Sequence, residues 1–254
     1  MIDTHCHFDD ASFALDRAQV LTEMQALGVS DLIIPAVTQA SWGGIQALCK
    51  QHSQLHAAYG LHPIYLAEHQ DEHLKQLELF VREHREQIVA VGECGLDFYL
   101  PELAVQQQTA LFIAQLKLAK NFDLPLIVHA RRSVDAVLSC IRRVGGLRGV
   151  VHSFAGSQQQ ADQLIEQGFY LGAGGTLTYE RAQRLRQILT NVPTECLLLE
   201  TDAPDQPDSQ WRGQRNTPLR LPIIAEALAE LSGCSLAELA DSTTKNAQRL
   251  FGIV

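Results

Sequence analysis

The chain has 254 residues, of which 46% are hydrophobic and 19% charged, and its formal net charge is −9. This composition supplies a sizeable core and argues against a disordered chain, while the length suits one large domain. The negative charge argues against a protein that coats nucleic acid through a broad basic surface, although bound cations could still let an enzyme act on phosphate esters.

Short apolar runs alternate with longer helical patterns along the whole chain. The predicted strands are 2–4, 32–37, 56–60, 88–92, 124–129, 149–152, 169–172 and 196–200. The predicted helices lie near 14–27, 41–52, 71–86, 102–121, 133–143, 157–167, 179–190, 218–232 and 235–250. Such alternation indicates parallel βαβ units, and the count of eight favours a closed (β/α)₈ TIM barrel, one domain over residues 1–254. A dinucleotide-binding sheet is less favoured, because no G-x-G-x-x-G turn follows the first strand.

Several residues mark the ends of the predicted helices. Pro101 lies where the helix near 102–121 can start. Ser133 and Ser157 have the short polar side chains that cap helix N-termini. Gly28 and Gly168 are placed to follow the C-termini of two helices, where a left-handed backbone favours glycine.

Location is predicted from cysteine spacing and from the absence of apolar segments. No apolar run approaches the roughly 20 residues of a membrane span, and the N-terminal residues lack the pattern of a secretory signal. The six cysteines lie far apart without a C-x-x-C pair, at positions 6, 49, 94, 140, 196 and 234. We therefore expect a cytosolic protein without disulfides or membrane contact.

Polar side chains occur where the predicted strands end, which is where (β/α)₈ barrels place their active sites. Taken singly, each has a structural explanation, such as a hydrogen-bonded histidine or an acid that starts a turn. Taken together, several imidazoles and carboxylates at one rim predict a metal site. These residues are His5, His7, His62, Glu93, His129, His152 and Asp202.

Six sequence blocks resemble the signature blocks of the TatD-type metal-dependent hydrolases. In chain order they are DTHCH, GLHP, GECGLD, LPLIVHARRS, VVHSFAGS and LLLETDAP, and the segment GAGGTLT fits the block of the seventh strand. Within this family they are similar to the YjjV-like branch of metal-dependent deoxyribonucleases. Cys94 and Ala155 depart from the residues common at their positions, and neither is a candidate ligand.

The resemblance implies an amidohydrolase-like (β/α)₈ barrel that holds two divalent ions, and in some members three. It distributes six ligands over the two ions: His5, His7 and Asp202 on the first, His129 and His152 on the second, and Glu93 between them. The metal stays open between Zn, Mg and Mn, because imidazole favours transition metals whereas phosphodiester chemistry often uses Mg²⁺ or Mn²⁺.

The ligand set predicts hydrolysis by an activated water. Two adjacent cations lower the pKa of a water between them, and Asp202 could accept its proton as general base. Arg131 and Arg132 follow His129 and could bind phosphate, or could form a solvated pair. His62 could donate a hydrogen bond to substrate, or could fix the turn before Pro63.

We therefore expect a metal-dependent hydrolase that acts on ester bonds, with the deoxyribonuclease activity and the DNA or oligonucleotide substrate coming from the resemblance. One alternative is a hydrolase of the same barrel that cleaves a C–N, lactone or acyl ester bond, including an ester on tRNA. The other is a metal-stabilised binding protein without turnover. No obligate protein partner is expected.

Overall fold

Eight parallel strands form one sheet in the computed structural model, in the order β1 to β8, so that each strand lies beside its neighbour in sequence. The structure describes residues 1–100 and 102–253. The strands are β1 (Ile2–Asp3), β2 (Asp31–Pro35), β3 (Leu55–Tyr59), β4 (Ile88–Asp97), β5 (Leu126–Arg131), β6 (Gly149–Val151), β7 (Phe169–Ala173) and β8 (Leu197–Leu199). All eight predicted strands are present, and only β4 differs by more than a few residues, because it continues to Asp97 instead of ending at 92.

The described ranges also contain nine α-helices, which follow the predicted order. They are α1 (Arg17–Ala26), α2 (Trp42–Gln51), α3 (Asp71–Glu83), α4 (Val105–Asn121), α5 (Val134–Val144), α6 (Gln158–Glu166), α7 (Gln183–Asn191), α8 (Leu221–Ser232) and α9 (Leu236–Phe251). Within the described residues, none of these helices combines the length and apolar character that crossing a membrane would need.

The helix-end predictions hold at three of the positions that the structure describes. Ser157 caps α6 through its side chain, and Gly28 and Gly168 adopt positive φ angles of 79° and 83° just past the ends of α1 and α6. The capping prediction for Ser133 was wrong, because its hydroxyl donates to a backbone carbonyl of β4 at 2.6 Å. Pro101 lies outside the described residues.

Hydrogen bonds between β8 and the residues around β1 join the two ends of the sheet. The Thr4 N–H donates to the Leu199 carbonyl at 3.0 Å. The buried carboxylate of Asp3 accepts from the N–H of Thr201 at 3.0 Å and from its hydroxyl at 2.5 Å. The predicted (β/α)₈ TIM barrel is thereby confirmed.

The barrel interior is apolar at its N-terminal end and polar at its C-terminal end. Seven of the strands contribute one small or branched residue to a buried cluster, and α9 covers that cluster from below. A second, larger cluster lies mainly between the strands and the surrounding helices. The strand residues of the inner cluster are Ile2, Ile33, Ala58, Ala90, Ile127, Val150 and Leu198.

The Thr201–Asp3 bond gives a prediction about stability. Thr201→Val keeps the side-chain volume but leaves a buried carboxylate oxygen without its hydroxyl donor, so we expect the free energy of unfolding of the metal-free protein to fall by about 1–3 kcal/mol. Thr190→Val is the matched control, because its exposed hydroxyl bonds only to a helix carbonyl; it should change stability by less than about 0.5 kcal/mol. Equal losses in urea titrations of the two variants would contradict this role.

Candidate metal centre

Four side chains meet at the C-terminal end of the barrel, beside β1 and β8. His5 Nε2 lies 3.3 Å from His7 Nε2, 3.2 Å from Glu93 Oε2 and 3.4 Å from Asp202 Oδ1. His7 Nε2 lies 3.5 Å from the same Glu93 oxygen and 3.6 Å from the same Asp202 oxygen. Ligands that surround one ion tetrahedrally at about 2.0–2.2 Å stand about 3.3–3.6 Å apart. These four atoms, the first ligand set, therefore have the spacing of a metal site.

The other oxygen of Glu93 faces a second ligand set beside β5 and β6. Glu93 Oε1 lies 3.2 Å from His129 Nδ1 and 2.9 Å from His152 Nε2, and the two nitrogens are 3.2 Å apart. Three protein ligands is the number that catalytic metal sites commonly use. One buried carboxylate thus stands between two groups of donors, as the resemblance implies.

The alternation of side chains along the strands brings the two histidines of the second set inward. Ile127 of β5 and Val150 of β6 belong to the inner apolar cluster. His129 and His152 come two positions later, and because the period of a strand is two they point to the same side. The strand therefore places an apolar residue in the lower barrel and an imidazole above it.

Glu93 reaches the interior through an irregularity in β4. Ala90 faces inward, so strict alternation would turn residue 93 outward. The register between β4 and β5 shifts instead, because Val91 pairs with Leu126 and Cys94 with Val128, which puts one extra residue on β4. A bulge of this kind re-aims the side chains that follow it, so Glu93 and Asp97 both face the site.

Asp97 holds one of the metal-binding candidates and was not assigned a role from the sequence. Its Oδ2 lies 3.0 Å from His129 Nε2, so the ring presents Nδ1 to Glu93 and its other nitrogen to Asp97. A carboxylate on the far nitrogen fixes the tautomer and orientation of a metal-binding histidine. Asp97 ends the block GECGLD, four residues after Glu93 and on the same face of the strand. The sequence indicates a role for Asp97 only if β4 is known to continue to that residue.

His62 points into the site as a hydrogen-bond donor. Its Nδ1 accepts from the Ile64 N–H at 3.1 Å, so in the neutral ring the proton lies on Nε2. That nitrogen is 3.0 Å from Glu93 Oε1. Burial is the largest influence on this ring and lowers its pKa, which favours the neutral form. The contacts therefore match the donor role considered from the sequence better than a ligand role.

Asp202 is held so that one oxygen faces the first ligand set. Its backbone N–H donates to the His5 carbonyl at 2.8 Å. Its Oδ2 accepts from the side-chain amide of Gln206, which also donates to Ser153 Oγ at 2.9 Å. The amide leaves Oδ1 directed at His5 and His7. Sequence reasoning did not single out Gln206, because glutamines in loops give no signal of this kind.

The charges of the centre are strongly coupled. Burial alone would raise the pKa of Glu93, but the neighbouring imidazoles outweigh it and hold the pKa well below its usual range. His152 shows the reverse balance: burial lowers the pKa of its ring, but the Glu93 carboxylate outweighs burial and raises the pKa to about 10. Burial and the charge of His152 lower the pKa of His5 to about 4. Without metal, therefore, protons balance the Glu93 charge.

The two candidate phosphate-binding arginines lie at the rim on the side of the second ligand set. The Arg131 guanidinium lies 3.7 Å from the ring centroid of Tyr99, and that of Arg132 lies 4.7 Å from it. Arg131 Nη1 is also 4.0 Å from Asp97 Oδ2. Arg215, in the loop after β8, is instead paired with Asp16. The predicted site residues are thus brought to one face, with the two ligand sets at its centre and the arginines at its edge.

This donor set fits divalent ions. Imidazole nitrogens and carboxylate oxygens at these spacings suit Zn²⁺ and related metals, and the buried Glu93 anion needs cations around it. Eight parallel strands with such a centre at their C-terminal ends define a metal-dependent hydrolase of the (β/α)₈ type.

Comparison with known proteins identifies the family. Residues 2–252 match the model of the TatD related DNase family. The metal-dependent hydrolase YjjV of Escherichia coli K12 is 40% identical over 99% of this chain and 98% of its own. The 3'-5' ssDNA/RNA exonuclease TatD of Erwinia tasmaniensis is 32% identical over the full length of both. The crystal structure of E. coli YjjV superposes with a TM-score of 0.95 at 38% identity, covering 100% and 98% of the two chains.

The chain belongs to the TatD-related DNase family and is a metal-dependent hydrolase. The resemblance seen in the sequence blocks is confirmed. The number and identity of the ions, the ligand assignments and the roles of the individual residues stay proposals, which the geometry above supports.

The pKa shifts predict that metal binding releases protons. Coordination needs an unprotonated His152 Nε2. Burial lowers the pKa of this ring, but the charge and hydrogen bond of Glu93 outweigh burial and raise the pKa to about 10 in the metal-free protein. At neutral pH, Zn²⁺ must displace that proton, so its apparent affinity should rise with pH until about 10. His5, with a pKa of about 4, is already neutral and adds no proton. Calorimetry in buffers of different ionisation enthalpy measures the release; a buffer-independent heat would contradict the prediction.

Proposed function

We propose that this chain is a two-metal nuclease that hydrolyses phosphodiester bonds at the end of single-stranded nucleic acid. The observation that carries the proposal is the position of Glu93, whose two oxygens each face a separate ligand set at distances of 2.9–3.5 Å. A carboxylate in this position would let the two ligand sets hold two ions close together, an arrangement that favours in-line displacement at phosphorus.

The chemistry divides between the ions and the chain. When bound, two divalent ions lower the pKa of a water between them and offset negative charge on the phosphate oxygens. Asp202 would act as the general base, because its Oδ1 faces the first ligand set while Gln206 holds its other oxygen. Glu93 stays ionised as the ligand common to both sets.

His62 is proposed to bind a phosphate oxygen. Its Nε2–H points at the second ligand set, and the Ile64 N–H prevents the ring from turning that proton away. A donor fixed in a buried site stabilises charge that builds up on phosphate oxygens without reorganising during the reaction.

The rim is unevenly charged, which suits a substrate that extends in one direction. Arg131 and Arg132 lie beside the second ligand set, and Arg132 also lines a cavity of about 420 Å³ at the ends of β4, β5 and β6, together with Arg184. Beside the first set, burial raises the pKa values of Asp9 and Asp205, and the charge of His7 partly offsets this effect. A chain of phosphates is attracted to the arginine side and repelled by the acidic side, so its end is held at the metals.

The named activity of a relative supports the same substrate. The Erwinia protein, 32% identical over its full length, is named a 3'-5' exonuclease of single-stranded DNA and RNA. Tyr99, whose ring is 44% exposed beside the two arginines, offers a surface on which an unpaired base can stack. Cytosolic location and the absence of an obligate protein partner stay predictions.

Metal-stripped protein tests the proposal when it is titrated separately with Zn²⁺, Mn²⁺ and Mg²⁺. We expect stepwise shortening of linear single-stranded oligonucleotides, no cleavage of circular single strands, and no turnover of a panel of amides and acyl esters. Glu93→Gln should bind metal weakly and lose most activity, because it removes the charge shared by both ligand sets. Turnover of an amide or acyl ester without cleavage of nucleic acid would overturn the nuclease assignment.

Substitution of the arginines tests how the substrate is held. Arg131→Ala or Arg132→Ala should mainly raise KM for oligonucleotides, because a flanking phosphate is bound equally in the ground and transition states. The loss should be about 1–3 kcal/mol in kcat/KM and should shrink for a nitrophenyl phosphodiester, which has no neighbouring phosphate.

Arg142→Ala is the matched control for these variants. Arg142 is exposed and lies in the last turn of α5, at the opposite end of the helix that begins after Arg132. The Arg142→Ala substitution should leave kcat/KM unchanged for both the oligonucleotide and the nitrophenyl phosphodiester. Equal losses on oligonucleotide and minimal substrate would show that the rim arginines shape the site instead of binding a flanking phosphate.

A further inference from the structure

Glu200 is a fully buried acid beneath the ligand sets that the chemistry above does not use. Its Oε1 accepts from the Ser153 N–H at 2.5 Å, while its Oε2 has no hydrogen-bond partner among residues 1–100 and 102–253. Room for the carboxylate comes from Gly172 of β7, where a Cβ would overlap Oε2. A buried carboxylate oxygen without a partner destabilises the folded protein. Its presence therefore indicates that this acid has a role.

Two metal-binding candidates that lie near Glu200 also carry unpaired nitrogens. In the part of the chain that the structure describes, His5 Nδ1 and His152 Nδ1 are also buried without partners. The two rings stack with their centroids 4.0 Å apart and their planes 13° from parallel. One donor or acceptor atom each of His5, His152 and Glu200 lies within 4.8 Å of the other two. Three neighbouring buried side chains therefore each carry an unpaired polar atom.

The orientation of the two imidazole rings determines whether each Nδ1 is a hydrogen-bond donor or acceptor. Both His5 and His152 present Nε2 to the ligand sets, so a metal-binding ring carries its proton on Nδ1. These two N–H groups need an acceptor. Glu200 Oε1 is 3.9 Å from His152 Nδ1, which is too long for a direct hydrogen bond. A bridging water has the hydrogen-bonding capacity that these groups require, since it can accept from both rings and donate to the carboxylate.

We propose that Glu200 is a positioning residue that holds a buried water against the Nδ1–H groups of His5 and His152, and so fixes the metal-binding tautomer of one histidine in each ligand set. This inference rests on the two-ion centre of the proposed function. Asp97 does the same for His129 alone, by direct contact with its far nitrogen. Glu200 would therefore support both ions, whereas Asp97 would support only the ion of the second ligand set.

Metal affinity distinguishes the two acids. Glu200→Gln keeps the size of the side chain but turns an amide donor toward a water that already receives two N–H groups. Affinity should fall about 10–100-fold at both ligand sets. Asp97→Asn, with the same loss of charge, should weaken the second set only. Glu195→Gln, which alters an exposed acid on the same segment, should change neither. Zn²⁺ titrations followed by NMR of the histidine rings report each set separately.

A measurement on the unsubstituted protein keeps the proposal testable if Glu200→Gln does not fold. In the zinc-loaded protein, ring NMR should place the proton on Nδ1 of His5 and His152 and on Nε2 of His129. Magnetisation transfer should connect both Nδ1 protons to a long-lived water. An Nε2 proton on His5 or His152, or Nδ1 protons without a water contact, would overturn the proposal.

These readouts separate the positioning role from the nuclease proposal, because they need no nucleic acid. If the protein binds two ions and Glu200→Gln weakens both, yet no nucleic acid is cleaved, then the nuclease assignment fails and the role of Glu200 stands. If oligonucleotides are cleaved and Glu200→Gln binds both ions as tightly as the natural chain, then the nuclease stands and the role of Glu200 is wrong.

Discussion

The metal centre depends on one buried anion, the carboxylate of Glu93, and on the cations that balance it. Two imidazoles approach its Oε2 and three approach its Oε1, at distances between 2.9 and 3.5 Å: His5 and His7 on one side, and His62, His129 and His152 on the other. A buried carboxylate is strongly unfavourable without compensating charge. In the metal-free protein that charge comes from protonated imidazole, which bound metal ions would replace.

Most of the fold could be predicted from the sequence, because parallel strands buried on both faces leave a continuous apolar signal. The exception, β4, shows where that signal ends. Beyond Gly92 the strand carries Glu93, Gly95 and Asp97, residue types that are uncommon in strands. A prediction from composition therefore ends the strand at Gly92. The strand continues because its register shifts against β5 and Gly95 passes close to the His129 carbonyl, where no side chain would fit. Such a bulge depends on the neighbouring strand and leaves no mark in a single segment.

The site could be predicted as a set of residues but not as a set of contacts. The C-terminal ends of the strands meet at one rim, so the polar residues that follow each apolar run could be grouped by their position in the chain. The tautomer of His62 depends on the Ile64 N–H, and the roles of Asp97 and Glu200 depend on which ring atom each acid faces. These are properties of backbone geometry. The sequence blocks contain both acids, yet nothing in the sequence alone separates them from acids that begin a turn.

The two ends of the barrel perform different tasks, which explains how a polar centre is tolerated. The N-terminal half of the interior is filled by apolar residues such as Ile33, Ile127 and Leu198 and is covered by α9, so its burial favours folding. The C-terminal half contains unpaired nitrogens and carboxylates that favour a bound ion or water over tight packing. Because each strand passes from one half to the other within two residues, the apolar half orients the ligands of the polar half. The apolar layer thus positions the candidate ligands although it does not contact them through polar groups, and its packing limits how far they can move.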